Sequence, residues 1–172
     1  MRTLEEVAIF TLKNTDRSNG MRGYYRYVIP FSFNGIEYVV KIDKYPSFIG
    51  LGSCAHEAER WESFKDGEWS DILVPVLESG KISGIFIDEN EFNNYGWVVM
   101  EKVETLHEYL NTTSAYECRG FMRDTLLPEL QTKHPGVEMP HDCIVSVDYD
   151  GHSGNWGIYT DGSWRLFDYG GV

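Results

Sequence analysis

The sequence predicts a one-domain α+β protein with a sheet-rich first part and a mainly helical second part. Residues 24–33 and 37–42 alternate in the manner of half-buried strands, and Asn34 and Gly35 between them are a hairpin signal. Residues 115–134 instead carry apolar side chains at helical spacing. A length of 172 residues is enough for one such domain with a substantial core.

The first part is expected to form a five-stranded antiparallel sheet with one helix on its face. Apolar runs separated by turn residues indicate six candidate segments for these five strands, at 5–12, 24–33, 37–42, 72–77, 81–87 and 97–103. The helix is predicted to begin at Cys54 and to end near Asp66 and Gly67.

Lys41 and Glu57 are predicted to form a buried pair. Lys41 lies among apolar residues of its strand, where a lysine is normally unwelcome. Trp61 and Phe64 follow Glu57 at helical spacing and share its face, which turns Glu57 inward. One alternative is that Glu57 is exposed to solvent. Another is that Lys41 pairs with Glu59, but helical spacing places Glu59 on the side of the helix away from Trp61. A buried glutamate and a buried lysine are tolerated together only as an ion pair.

The second part begins with a short helix at 105–110 and continues with a long one at 115–134, which Pro135 and Gly136 end. The apolar residues of the long helix are expected in the core: Phe121, Met122, Leu126, Leu127 and Leu130. A hairpin follows, with strands at 156–159 and 164–167 joined through Asp161 and Gly162.

Asp150, Asn155 and Asp168 have the spacing of a phosphotransferase signature. Asn155 comes five residues after Asp150, and Asp168 stands two residues before Gly170. The first carboxylate can accept a proton from an alcohol, and the amide and second carboxylate can hold one magnesium ion. The alternative is a pair of polar turns around the hairpin, which explains the glycines but not the carboxylate spacing.

In this order the residues resemble the protein-kinase-like superfamily. The strand that contains Val39-Val-Lys41 looks like the nucleotide-clamping lysine strand, and Glu57 like its helix partner. The segment from Asp150 to Asn155 is similar to the catalytic loop of aminoglycoside and choline phosphotransferases and of small phage kinase-like proteins. The resemblance covers residues 20–172.

The resemblance implies one kinase-like domain over 1–172, with a first lobe at 1–103, a hinge at 100–104 and a second lobe at 105–172. It implies ATP and Mg²⁺ as cofactors and Asp150, Lys41 and His152 as the catalytic residues, of which His152 mainly braces the catalytic loop. Further roles are implied for these residues: Lys41 and Glu57 at the phosphates, Met100, Glu101 and Val103 at the adenine, and Asn155 and Asp168 at the metal.

Three departures from the family pattern affect the expected function. The glycine-rich phosphate loop is poor, with Gly20 and Gly23 only. No His-Arg pair precedes Asp150, so control by loop phosphorylation is not expected. The sequence stops at Val172, which predicts a truncated second lobe ending just after the metal-binding triplet, without most of a phosphoacceptor site.

The first expectation is therefore a minimal serine/threonine protein kinase, with a phage origin suspected from its size and loop form. A small-molecule phosphotransferase of aminoglycoside type is a second reading. A third is a nonenzymatic, acidic kinase-like protein that binds or inhibits a host partner. The expected partners are thus a nucleotide and a protein substrate or host protein, and a second copy of the chain is an alternative source of the missing surface.

Composition limits the partners, the metal sites and the location that are expected for this protein. The formal net charge of −12 argues against a nucleic-acid surface, which needs clustered Lys and Arg. No apolar run has membrane-spanning length, and the acidic N-terminus is unlike a signal peptide. Three cysteines and five histidines show no zinc spacing. The expected location is the cytoplasm, or the host cytoplasm for a phage protein.

Overall fold

The computed structural model describes residues 2–15, 21–22, 26–46, 50, 52–68, 70–87, 90–136 and 155–168. This part of the chain is an α+β structure with antiparallel sheets, which confirms the predicted class. It divides into two compact units. The first consists of Met1–Trp61 and Pro75–Lys102, and the second of Glu62–Val74 and Val103–Gly170.

The described helices are α1 (Leu4–Asn14), α2 (Cys54–Phe64), α3 (Leu106–Tyr109), α4 (Ala115–Phe121) and α5 (Leu127–Lys133). The described strands are β1 (Met21–Arg22), β2 (Arg26–Phe33), β3 (Ile36–Asp43), β4 (Glu78–Ile82), β5 (Ile85–Ile87), β6 (Asn90–Phe92), β7 (Tyr95–Glu101), β8 (Glu104–Thr105), β9 (Trp156–Ile158) and β10 (Trp164–Leu166). No described helix combines the length and apolar character needed to cross a bilayer.

The main sheet lies in the first unit and has the strand order β1-β2-β3-β7-β4, with all neighbours antiparallel. Four of its strands have five to eight residues, and the edge strand β1 has two. Asn34 and Gly35 join β2 to β3 with positive φ angles of 51° and 82°. Such a turn matches the right-handed twist of the two strands, so the predicted hairpin is confirmed.

Helix α1 occupies a segment where a strand was predicted at 5–12, and that prediction was wrong. Thr3 and Glu6 form a reciprocal capping box at its start, with Thr3 N donating to Glu6 Oε2 at 2.8 Å and Glu6 N to Thr3 Oγ1 at 3.2 Å. Ala8 and Leu12, four residues apart, are buried. The apolar face therefore repeats with the helical period, and the described residues of the first unit include two helices rather than one.

The sheet has two different buried faces. On the α1 face, apolar side chains from β2, β3, β4 and β7 form one core with the helix: Ile29, Phe31, Tyr38, Val40, Ile42, Ile82, Tyr95, Trp97 and Val99. The opposite face of β3 carries Lys41 and Asp43, both buried, and α2 supplies their partners. This face therefore positions the polar groups of the first unit.

The predicted strand at 72–77 was also wrong. Ser70–Ile72 is a 3₁₀ turn, and Leu73 makes a single parallel bridge to Leu166 in the second unit. The predicted strand at 81–87 is divided between β4, which pairs with β7, and β5, which pairs with β6 in a separate two-stranded sheet. The main sheet is thus built from partly different segments than the sequence predicted.

The second unit contains the three-stranded sheet β10-β9-β8. The predicted hairpin of β9 and β10 is present, with Gly162 at φ 82° in its turn. Gly157 of β9 lies so close to β8 that an added Cβ would meet Glu104 O at 2.5 Å. Trp164 of β10 makes edge contacts with Tyr109 and Phe121, at ring-centroid distances of 5.1 and 5.2 Å.

The predicted long helix at 115–134 is helical from Ala115 to Lys133, with a π turn at Met122–Leu126. Leu127 N donates to Met122 O, five residues back. Pro128 follows, and proline cannot donate an N–H and crowds the carbonyl four residues earlier, so the wider turn relieves that clash. The side chains of Met122, Leu126 and Leu130 are buried, as their spacing predicts. Phe121 and Leu127, also predicted in the core, are only half-buried because they flank that face of the helix.

The two sides of α1 provide a direct test of its helical register. Leu12 is 1% exposed and Phe10 is 51% exposed, although both would share one face of a strand. We expect Leu12→Ala to lower the free energy of unfolding by about 2–5 kcal/mol because it opens a core cavity. Phe10→Ala is the matched control and should cost less than about 1 kcal/mol. Urea denaturation measures both, and equal losses would contradict the helix.

Candidate functional site

Lys41 and Glu57 form a buried ion pair in the first unit. Lys41 Nζ lies 2.8 Å from Glu57 Oε1 and 3.1 Å from Oε2. The residues are 2% and 0% exposed. The structure thus brings together the two residues that the sequence predicts as partners, and Glu59 is exposed, as its helical phase predicts.

Local structure explains how the pair forms. Lys41 lies in β3 between Val28 of β2 and Val98 of β7, so its side chain starts from the centre of the sheet. Ser53 caps α2 by accepting a hydrogen bond from His56 N at 3.1 Å. Glu57 is in the first turn of this helix, where a carboxylate is favoured by the helix dipole.

Arg26 is a second cation on the same carboxylate, and the sequence analysis missed it. Arg26 Nη1 donates to Glu57 Oε2 at 2.5 Å, and Arg26 is 5% exposed. A signal for this residue was available. Counting outward from the two-residue Asn34 and Gly35 turn pairs Arg26 with Asp43, on the same face as Lys41.

Asp43 is a second buried carboxyl in this cluster. Its Oδ1 accepts a hydrogen bond from Cys54 N at 2.8 Å, at the start of α2, and it is 1% exposed. Burial raises the pKa of Asp43, although the hydrogen bonds from Cys54 and the charge of Arg26 oppose that shift. Gly96 of β7 leaves the space that the carboxyl occupies, because an added Cβ would collide with Asp43 Oδ2.

Cys54 is enclosed by this cluster. Burial raises the pKa of its thiol well above the ordinary value, and the charge of Asp43 adds to that effect. Its Sγ lies 3.6 Å from Lys41 O. A thiol in this state is a poor nucleophile, so Cys54 contributes packing rather than reactivity.

Asn155 and Asp168, the predicted metal ligands, lie at the same end of the β9 and β10 hairpin. Trp156 pairs with Leu166, and Phe167 N donates to Asn155 O at 2.9 Å. Asp168 is the next residue after Phe167, and both Asn155 and Asp168 are partly exposed. The pairing of the two strands therefore places these two residues near each other, although they are thirteen positions apart in the sequence.

The donor types at this hairpin end fit magnesium. Carboxylate and amide oxygens are the ligands that this cation takes in proteins. Among the described residues, no group of three or more His, Cys, Asp or Glu side chains is arranged to hold a metal ion. That finding does not exclude the predicted pair, because it consists of one amide and one carboxylate. Of the predicted catalytic residues, Asp150 and His152 lie outside the described residues, and Lys41 lies in the buried pair.

The residues predicted at the adenine have different environments. Met100 is 0% exposed in β7, where it pairs with Val39 of β3. Glu101 is half-buried at the end of the same strand. Val103 is 7% exposed and belongs to the second unit. Their role at a nucleotide stays a prediction.

A scan against protein-family models finds no match, and a search of curated proteins finds none either. Function is therefore argued from the residues of the two units, of which the buried cluster of Arg26, Lys41, Asp43 and Glu57 is the most unusual in physical terms. Four ionisable side chains seldom share one buried face, since each must be compensated by partners.

The charge balance of the cluster predicts a large effect of removing Glu57. Glu57→Gln leaves Lys41 and Arg26 buried without the carboxylate that both contact. We expect a loss of about 3–5 kcal/mol in the free energy of unfolding, as for other broken buried pairs. Glu59→Gln, on the exposed side of the same helix, should change it by less than about 0.5 kcal/mol. Chemical denaturation compares them; a loss at Glu57 no larger than that at Glu59 would contradict the buried pair.

Asp43 predicts a dependence of stability on pH. Because burial raises its pKa, the folded protein binds this proton more tightly than the unfolded chain does. The resulting stability is complete below the ordinary value of 3.8 and is lost as the pH rises through the folded-state pKa. Asp43→Asn removes that titration, so the variant should gain stability relative to the natural protein as the pH rises.

Urea denaturation at about pH 4 and about pH 7 measures this difference. Asp66→Asn, at an exposed position after α2, controls for the loss of a negative charge. A stability difference between Asp43→Asn and the natural protein that stays constant between the two pH values would show that Asp43 has no raised pKa.

Proposed function

We propose that this protein is an ATP- and magnesium-dependent phosphotransferase that acts on serine or threonine hydroxyls of a protein. The observation that carries this proposal is the buried pair of Lys41 and Glu57, with the lysine in the middle of a sheet and the glutamate on the helix packed against it. In the protein-kinase-like superfamily such a pair orients a lysine towards nucleotide phosphates.

Stability alone is a poor explanation for this pair. Removing two charges from water costs several kcal/mol per ion, and apolar residues of similar size often stabilise a fold as well or better. Buried clusters of ionisable groups are instead common at functional sites. The cluster at Lys41 therefore supports a role in binding an anion, and a nucleotide phosphate is the anion that the proposed reaction supplies.

The remaining roles follow from the types of residue. Lys41 binds and orients phosphate, and Glu57 holds the lysine. Asn155 and Asp168 supply oxygen ligands for magnesium, whose chemistry when bound is to neutralise charge on the transferred phosphate. Asp150 is assigned, on the resemblance alone, to accept the proton of the attacking hydroxyl. His152 is assigned to brace that segment, again on the resemblance.

The test is phosphate transfer from radiolabelled ATP with magnesium, to the protein itself or to proteins of a bacterial lysate. Lys41→Met and Asp168→Asn should each reduce labelling by about a hundredfold or more, since both remove groups that position the phosphate. Lys81→Met, at an exposed lysine of β4 in the same sheet, is the matched control and should label normally. Labelling that persists in both test variants would contradict the assignment.

Nucleotide-dependent thermal stability separates the enzyme from the other readings. A ligand at a hundred times its dissociation constant stabilises a fold by about 2.7 kcal/mol. Stabilisation by ATP and magnesium with no labelled protein would favour a small-molecule acceptor. Neither stabilisation nor labelling would favour the nonenzymatic binding protein, for which the net charge of −12 suits a basic partner.

A further inference from the structure

Glu57 is shared by two cations, and this sharing has a specific geometry. Lys41 Nζ lies 2.8 Å from Glu57 Oε1 and 3.1 Å from Glu57 Oε2, and Arg26 Nη1 lies 2.5 Å from the same Oε2. Arg26 approaches from β2 and Lys41 from β3, so the two cations reach the carboxylate from neighbouring strands. Both residues lie on one face of the sheet.

The second cation changes what Lys41 can do. A carboxylate that is 0% exposed cannot be left without a counter-charge, because its desolvation would then be uncompensated. If Lys41 were the only partner, any movement of its ammonium towards a phosphate would be opposed by that cost. With Arg26 on Oε2, Glu57 keeps a full counter-charge while Lys41 shares its own.

We propose that Arg26 is a positioning residue for phosphotransfer, which keeps Glu57 neutralised while the Lys41 ammonium turns to the nucleotide phosphates. The inference rests on the proposed function and adds a residue to it. Arg26 acts through Glu57 and does not itself contact the nucleotide.

Arginine suits this task better than lysine. Its guanidinium stays protonated under all physiological conditions and presents a rigid fork of donors to a carboxylate. Arg26 is also fixed by its surroundings, at 5% exposure and opposite Asp43 across the β2 and β3 pair. A rigid and permanent counter-charge on Oε2 leaves the more flexible lysine as the group that changes partner.

The experiment compares the affinities of MgATP and adenosine by titration calorimetry, using Arg26→Gln and Arg26→Lys in the full chain. Arg26→Gln keeps a hydrogen-bond donor but no charge. It should therefore weaken the binding of MgATP about tenfold, which equals about 1.4 kcal/mol, and leave the binding of adenosine unchanged. Arg26→Lys restores the charge and should recover most of the MgATP affinity. Arg60→Gln is the control for losing an arginine from the first unit and should change neither affinity.

A merely structural role would weaken MgATP and adenosine alike, and that result would overturn the inference. Unchanged MgATP affinity in a folded Arg26→Gln protein would overturn the inference as well. That result would not contradict the proposed function, which the labelling assay tests separately. If the natural protein did not bind MgATP, that result would contradict the proposed function itself and, with it, the inference.

A second measurement uses the natural protein and does not depend on how a variant folds. Its arginine side chains are labelled with ¹³C and ¹⁵N, and the Arg26 N–H signals are assigned by through-bond correlation to the Arg26 backbone. Addition of MgATP should leave these signals protected from exchange, because Arg26 stays on Glu57. Loss of protection, or a shift as large as that of a direct phosphate contact, would overturn the inference.

Discussion

Neutralisation of Glu57 is the constraint on which the first unit depends. A fully buried carboxylate holds α2 against the sheet because Lys41 and Arg26 form ion pairs with it there. Asp43 adds a second polar link through Cys54 N at the start of the same helix. The helix is thus positioned by ionic and hydrogen-bonded groups on this face, whose strength depends on geometry far more than that of apolar contacts does.

The two faces of the main sheet differ in composition: one carries the apolar core, and the other carries the charged cluster. The α1 face is apolar, and the burial of its side chains stabilises the first unit. That core provides the stability against which a polar cluster can be buried on the other face. Because side chains alternate along a strand, β3 serves both faces, with Val40 and Ile42 on one and Lys41 and Asp43 on the other.

The local patterns predicted the candidate site better than the complete fold. Lys41 and Glu57 followed from a strand period and a helix period read separately, since each period says which residues face inward. The helix at 5–12 was missed because its β-branched and aromatic residues favour strands, whereas the Thr3 and Glu6 capping box indicates a helix. The bridge of Leu73 to Leu166 joins distant parts of the chain, and no local pattern encodes such a contact.

The turn at Asn34 and Gly35 has a consequence beyond joining two strands. Its two residues set the alignment of every pair from Phe33 and Ile36 to Arg26 and Asp43. Inserting or deleting one residue there would turn one strand over relative to the other. Arginine would then be directed into the apolar layer beside α1, and an isoleucine or tyrosine would face the glutamate. The length of this hairpin turn therefore determines that the charged side chains and the apolar side chains of β2 and β3 lie on opposite faces of the sheet.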